Sequence, residues 1–139
     1  MPLSGHVTVR AKWLSGYRKL PYCLWRHSGR TAADVKVANL YDGFSIIIIL
    51  WLEAMGLCGA GEAFEFIQGG RIAPGGALPL NMSGGNIGTG RMHGVPQIIN
   101  RILQVTNRAD DCQIPGADTA LVTTGQLWGG HALLLTAGG

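Results

Sequence analysis

The alternation of apolar and polar positions becomes orderly from residue 31 onward. Val35, Val37 and Leu40, with Ala38 among them, form a short β-like run that ends at Tyr41-Asp42-Gly43-Phe44. Ser45 can cap a following helix over residues 45–55, with Gly56 as its stop. Residues 46–52 are almost unbroken in apolar side chains, so this helix is expected to be buried on most sides. Four consecutive isoleucines would also suit a strand, but the distance to the glycine and the Leu-Glu-Ala-Met ending favour a helix. A second short helix fits residues 62–68, closed by Gly69-Gly70.

Residues 69–94 are loop-rich, with nine glycines and two prolines. A third helix follows over residues 95–107, where Ile98, Ile99, Ile102, Leu103 and Val105 fall at helical spacing and Pro96 sits in the first turn. Two β-like runs close the chain, residues 120–123 and 131–136, joined by a long hairpin connection. The order β-α-α-loop-α-β-β predicts an α/β domain with helices layered on a mixed sheet.

Composition narrows the class. A chain of 139 residues supports one modest core. Charged residues make up 14% and apolar residues 47%, which argues against a disordered tail or a coiled coil. So little charge with 22 glycines suits a domain that covers much of its surface with something else. No apolar run approaches the roughly 20 residues of a membrane helix. Cys23, Cys58 and Cys112 show no CxxC spacing, so neither a disulfide framework nor a metal site is indicated, and a reducing, cytoplasmic setting is expected.

Charge is uneven. Residues 1–30 carry +6 with no acid, and residues 31–139 carry −3. The basic arm interleaves Trp13, Tyr17, Tyr22 and Trp25. It could bind nucleic acid or an anionic surface, or act as a targeting presequence. It shows no clean period of 2 or 3.6, so residues 1–27 read as an extension, residues 28–139 as the domain, and nucleic acid is not the expected partner.

The glycine-dense stretch 81–94 is the most informative. Its glycines Gly84, Gly85, Gly90 and Gly94 would let the backbone approach a ligand or a neighbouring loop closely. It lacks the Lys-Ser/Thr ending of a P-loop and the GxGxxG spacing of a dinucleotide fold. His93 stands just before a helix N-terminus, where N–H groups and the helix dipole favour developing negative charge. Its imidazole could help hold an oxyanion, or simply meet a local carbonyl. Tyr41-Asp42 lies at the carboxyl end of a strand, where ligands bind in open α/β sheets. Tyr41 there can act as a general acid or be an ordinary half-buried tyrosine. Asp42 can take part in the chemistry, cap a helix or hold a loop amide.

Four segments occur in order: Tyr41-Asp42-Gly43-Phe44, Gly56-Leu57-Cys58-Gly59-Ala60-Gly61-Glu62-Ala63, Leu78-Pro79-Leu80-Asn81-Met82-Ser83-Gly84-Gly85 and Gly90-Arg91-Met92-His93-Gly94. Together they resemble the C-terminal half of thiolase-like proteins, in particular the sterol-carrier-protein-x and lipid-transfer branch that includes steroid side-chain aldolases. The resemblance runs from about Ser28 to Thr136. It implies that His93 matches the histidine that lies by the acyl thioester in true thiolases. It implies that Tyr41 occupies the place where aldolase-like members use a tyrosine in retro-aldol proton transfer. Asp42 and Phe44 match the rest of that motif, and Gly84, Gly85, Gly90 and Gly94 are expected to line the substrate.

The departures are as informative. The nucleophilic cysteine of thiolases belongs to an N-terminal half that this sequence does not contain. The second catalytic cysteine would fall in the C-terminal hairpin, where Thr123-Thr124-Gly125-Gln126 stands instead. Arg91 occupies a place where many aldolase-like members have a second tyrosine. Claisen chemistry needs a thiolate to carry the acyl group, and neither cysteine is supplied. The resemblance therefore implies a domain or small subunit of a thiolase-like acyltransferase or retro-aldol lyase acting on a lipid- or sterol-type acyl-CoA. Tyr41, His93 and Asp42 would be its catalytic residues. Coenzyme A would enter as substrate with no separate cofactor, and the partner would be an N-terminal thiolase half or a thiolase-like subunit in an oligomer. The alternative is a non-catalytic acyl-CoA- or lipid-binding or scaffolding module of the same fold. In either case residues 46–52 are expected to lie open when the chain is alone, because they would belong to a helix layer shared with the other half.

Overall fold

The computed structural model describes residues 19–90, 92–126 and 129–138. The proposed roles of Arg10, Lys12, Trp13, Tyr17, Arg18 and Arg91 therefore lie outside the described residues. The elements run α1 (Lys19–Ser28), β1 (Val37–Asn39), α2 (Ser45–Ala54), α3 (Ala63–Phe66), α4 (Gly85–Thr89), α5 (Val95–Val105), β2 (Thr119–Thr124) and β3 (His131–Thr136).

The strands form one mixed sheet in the order β1-β2-β3. β1 and β2 are parallel, with Ala38 opposite Leu121, and β2 and β3 form the expected antiparallel hairpin, with Leu121 opposite Leu134. Beyond β1, the backbone at Leu80 makes a parallel bridge to Ala38, which brings the start of the glycine-rich loop onto the sheet edge. Alternation along the strands sends Ala38, Leu40, Leu121, Ala132 and Leu134 into one apolar cluster, and Val37, Ala120, Val122 and Leu135 into a second on the opposite face.

The first face is closed by α2 and α1. Ile47, Ile49, Trp51 and Leu52 of α2 are buried there, and Leu20 of α1 joins them. The indole of Trp25 donates to the carbonyl of Met55 at 3.2 Å, pinning α1 to the end of α2. Two expectations are corrected here. The boundary between residues 27 and 28 falls inside α1, so the described part of the basic arm belongs to the domain. The apolar helix is not left open either, because α1 and the sheet cover it and only Ile46 of residues 46–52 is exposed. Gly56, at φ 70°, ends the helix as expected, whereas Ser45 is its first residue and extended Phe44 holds the cap position.

The second face is covered by α5 with its polarity reversed. Gln97, Arg101 and Gln104 are buried beneath it with Val105, while Val95, Ile99 and Ile102 face outward, 51%, 53% and 38% exposed. Gln104 fastens this helix to the chain ahead of β2: its oxygen accepts from the Ile114 N–H at 2.9 Å, and its amide donates to the Cys112 carbonyl at 2.6 Å.

Candidate functional site

Three segments meet at the carboxyl end of β1 and β2. The first is Leu40-Tyr41-Asp42. The side-chain amide of Asn81 clamps the Leu40 backbone, accepting from its N–H at 2.8 Å and donating to its carbonyl at 3.0 Å. Asn81 itself sits at φ 52°, a left-handed conformation that asparagine tolerates better than most residues. The Tyr41 N–H donates to the hydroxyl of Thr123 on β2 at 2.9 Å. The tyrosine is 6% exposed, and its ring folds back over Gly43, where a Cβ would stand 2.6 Å from the phenol oxygen.

The second segment is the glycine-rich loop. Asp42 is buried and holds it from beneath. Its Oδ1 accepts from the Asn86 N–H at 2.7 Å and from the Asn86 side-chain amide at 2.8 Å, and its Oδ2 accepts from the Ile87 N–H at 3.4 Å. These N–H groups belong to the first turn of α4, where no intrahelical acceptor is available. Asp42 thus holds loop amides, one of the three uses its sequence position allowed. A Cβ at Gly85 would lie 2.0 Å from Asp42 Oδ2, and one at Gly94 would lie 2.4 Å from the Thr124 methyl. Both glycines, at φ 66° and 93°, let the loop close on the chain's own residues. Gly84 and Gly90 also have positive φ, and a Cβ at Gly90 would meet nothing within 4 Å. Gly84 and Gly90 are exposed, whereas Gly85 and Gly94 are buried.

His93 is exposed, at φ 51°, and precedes Gly94, the residue that caps α5. Two successive left-handed residues turn the chain sharply into the helix and place His93 one residue ahead of its cap. Among the described residues no hydrogen bond joins His93 to Tyr41 or Asp42. The third segment is the hairpin turn, which rests on α2: the Trp51 indole donates to the Gly125 carbonyl at 3.2 Å. Thr124 lies against Gly94, so the turn and the histidine loop share a wall.

Sequence reasoning placed Tyr41 and Asp42 at the carboxyl end of a strand and His93 ahead of a helix N-terminus, but gave no holding role to Asn81, Asn86 and Thr123, which keep the three segments in register. None of the cysteines stands in for a catalytic thiol. Cys58 is half-buried, and burial, followed by the charges of Glu53 and Glu62, pushes its thiol up from the ordinary value, leaving it protonated at neutral pH. Among the described residues no His, Cys, Asp and Glu cluster could hold a metal, and no helix is long and apolar enough to cross a membrane.

Residues 24–136 match the family model described as thiolase C-terminal domain-like. The chain belongs to this family. The match begins inside α1, in keeping with the packing of that helix. The thiolase-like domain is 41% identical over 102 residues to a 17-hydroxy-3-oxo-4-pregnene-20-carboxyl-CoA lyase of Mycobacterium tuberculosis, covering 73% of this chain and 26% of the lyase. It is 35% identical over 100 residues to sterol carrier protein 2 of Homo sapiens, covering 70% of this chain and 18% of that protein. In structure it superposes on an Ltp2-ChsH2(DUF35) aldolase with a TM-score of 0.82 and 32% identity, covering 87% of this chain and 31% of that one. The thiolase-like domain thus spans about a quarter of the length of the curated lyase it matches.

Proposed function

We propose that this thiolase-like domain forms part of a retro-aldol lyase acting on a β-hydroxyacyl-CoA with a bulky, sterol-type acyl group. The observation that carries the reading is the convergence of Tyr41, the glycine-rich loop with His93, and the hairpin turn at the carboxyl end of β1 and β2. In such a step a base removes the proton from the β-hydroxyl and the adjacent carbon–carbon bond breaks. The hydroxyl oxygen becomes the carbonyl of the released ketone or aldehyde, the electron pair of the broken bond passes into the thioester carbonyl as an enolate, and a proton returned to carbon completes the shortened acyl-CoA. His93, beside the N-terminus of α5, is suited to hold the enolate oxygen. The Tyr41 phenol is suited to move the proton.

The lyase is favoured over acyl transfer by a specific contact. The segment Thr123-Thr124-Gly125-Gln126, where the resemblance puts a thiolase's second cysteine, holds no thiol, and its Thr123 is fully buried with its hydroxyl accepting from the Tyr41 N–H. A threonine hydroxyl does not ionise near neutral pH and cannot replace the thiolate that acyl transfer needs, whereas carbon–carbon cleavage needs no thiolate. The chain would act with a second thiolase-like half seated on the outward stripe of α5, Val95, Ile99 and Ile102. Three free cysteines suit a reducing, cytoplasmic setting for this steroid-type chemistry.

The test uses a chimera in which residues 24–136 replace the matching quarter of the mycobacterial lyase. We expect it to cleave the lyase's own substrate, and Tyr41→Phe to lower turnover by roughly 10²–10⁴-fold while leaving the melt unchanged. A folded chimera that retains its rate after Tyr41→Phe would sink the assignment. A folded chimera that binds acyl-CoA without turnover would favour the non-catalytic binding module.

A further inference from the structure

The chain buries a cation without a counter-charge. Arg101, on the sheet-facing side of α5, is 0% exposed. Its Nη2 donates to the Asn100 side-chain oxygen, while Nε and Nη1 find no partner. All eight acidic side chains of the chain are among the described residues, and none of them pairs with this guanidinium. Burial alone pulls its pKa down, to about 10, with no neighbouring charge acting on it. A neutral oxygen would not solve the problem. Gln97, one turn earlier, has an unpartnered Oε1, and an amide turned toward Arg101 would satisfy a hydrogen bond but not a charge. At neutral pH the guanidinium stays protonated, and an uncompensated buried charge is strongly destabilising.

Asn100 is only half-buried, so the guanidinium lies one side chain beneath the flank of α5. That flank adjoins the outward stripe of Val95, Ile99 and Ile102. We infer that the thiolase-like half that covers α5 carries an aspartate or glutamate that reaches past Asn100 and pairs with Arg101. The inference rests on the docking reading given above and adds its chemistry: the partner surface is apolar, with one carboxylate at a fixed place. Such an arrangement gives specificity as well as contact, because an apolar surface without the carboxylate leaves Arg101 uncompensated.

The test is a change of sign. Arg101→Met removes the charge and keeps most of the volume. In this chain alone the substitution should raise the melting temperature by a few degrees, since an unpaired buried charge is lost. In the chimera with the mycobacterial lyase it should lower the melt on the order of 5–10 °C, because the partner's carboxylate is then buried unpaired. Arg101→Lys in the chimera should recover at least half of that loss. Destabilisation of the chain alone would mean that Arg101 is satisfied internally and would overturn the inference. So would a chimera in which Met is as good as Arg. If the unsubstituted chimera fails to form, the docking reading fails, and the sign in the chain alone still decides whether Arg101 lacks a counter-charge. If the chain alone does not melt cooperatively, the comparison of Met with Lys in the chimera decides.

Discussion

The two faces of the sheet are built on opposite plans. On one, α1 and α2 press Leu20, Ile47, Ile49, Trp51 and Leu52 onto Ala38, Leu40, Leu121 and Leu134, and the buried side chains there are almost all apolar. On the other, α5 turns Gln97, Arg101 and Gln104 inward and leaves Val95, Ile99 and Ile102 to solvent. Burying an aliphatic side chain is worth about 1.5–3 kcal/mol, so the first face is where this chain gains its stability. A buried polar atom without a partner costs about 1–3 kcal/mol. The second face carries several, on Asn39, Gln97 and Arg101. One face is finished within the chain, and the other has its hydrophobic side where a neighbour would cover it.

The largest expected effect tests the finished face. Leu52 is fully buried in the apolar cluster to which α1, α2 and the sheet all contribute. Leu52→Ala should cost about 2–5 kcal/mol, read as a drop in the urea or thermal midpoint of the chain. A loss below about 1 kcal/mol would mean that this face is as loosely covered as the other. A smaller effect is expected where the faces meet, at Asp42. Asp42→Asn replaces one acceptor oxygen by a donor facing the Asn86 and Ile87 N–H groups, at a cost of about 1–3 kcal/mol. Hydrogen exchange should quicken at those two amides while α2 keeps its protection. Uniform loss of protection would show that the loop is not a separate unit.

The contrast between the faces also marks how far the sequence could be read. β3 was legible to the residue, because in His131–Thr136 the apolar Ala132, Leu133, Leu134 and Leu135 stand between a glycine pair and a terminal Ala-Gly-Gly. β2 and α2 were found within a residue or two, with Gly56 stopping the helix. α1 was not legible, since its attachment depends on Leu20 and Trp25 meeting partners that only the fold supplies. α4 was missed because a Gly-Asn-Ile-Gly-Thr segment has poor helix propensity, and Asp42, distant in sequence, supplies the acceptor that starts it. The third helix was recognised from its aliphatic spacing, but a stripe does not say whether it faces its own sheet or a neighbour. At the site, Tyr41, Asp42 and His93 stood out by position and resemblance. Asn81 and Thr123 did not, since each takes its role from a residue 41 or 82 positions away.

The smallest expected effect on the chain itself is the most telling about the unfinished face. Ile99 lies at the middle of the outward stripe and is 53% exposed. Serine and isoleucine have similar helix propensities, so Ile99→Ser should change the stability of the chain by no more than about 0.5 kcal/mol. Its consequence should lie elsewhere. Self-association of the chain, read by sedimentation at rising concentration, should weaken as the apolar stripe is interrupted, and the chimera should melt at a lower temperature than its Ile99 parent. That pairing separates a covered surface from a core position: Leu52→Ala damages the chain alone, and Ile99→Ser damages only what binds to it. If Ile99→Ser instead lowered the midpoint of the chain as far as Leu52→Ala does, the stripe would be packed within the molecule. Both faces would then be finished, and α5 would have no claim on a partner.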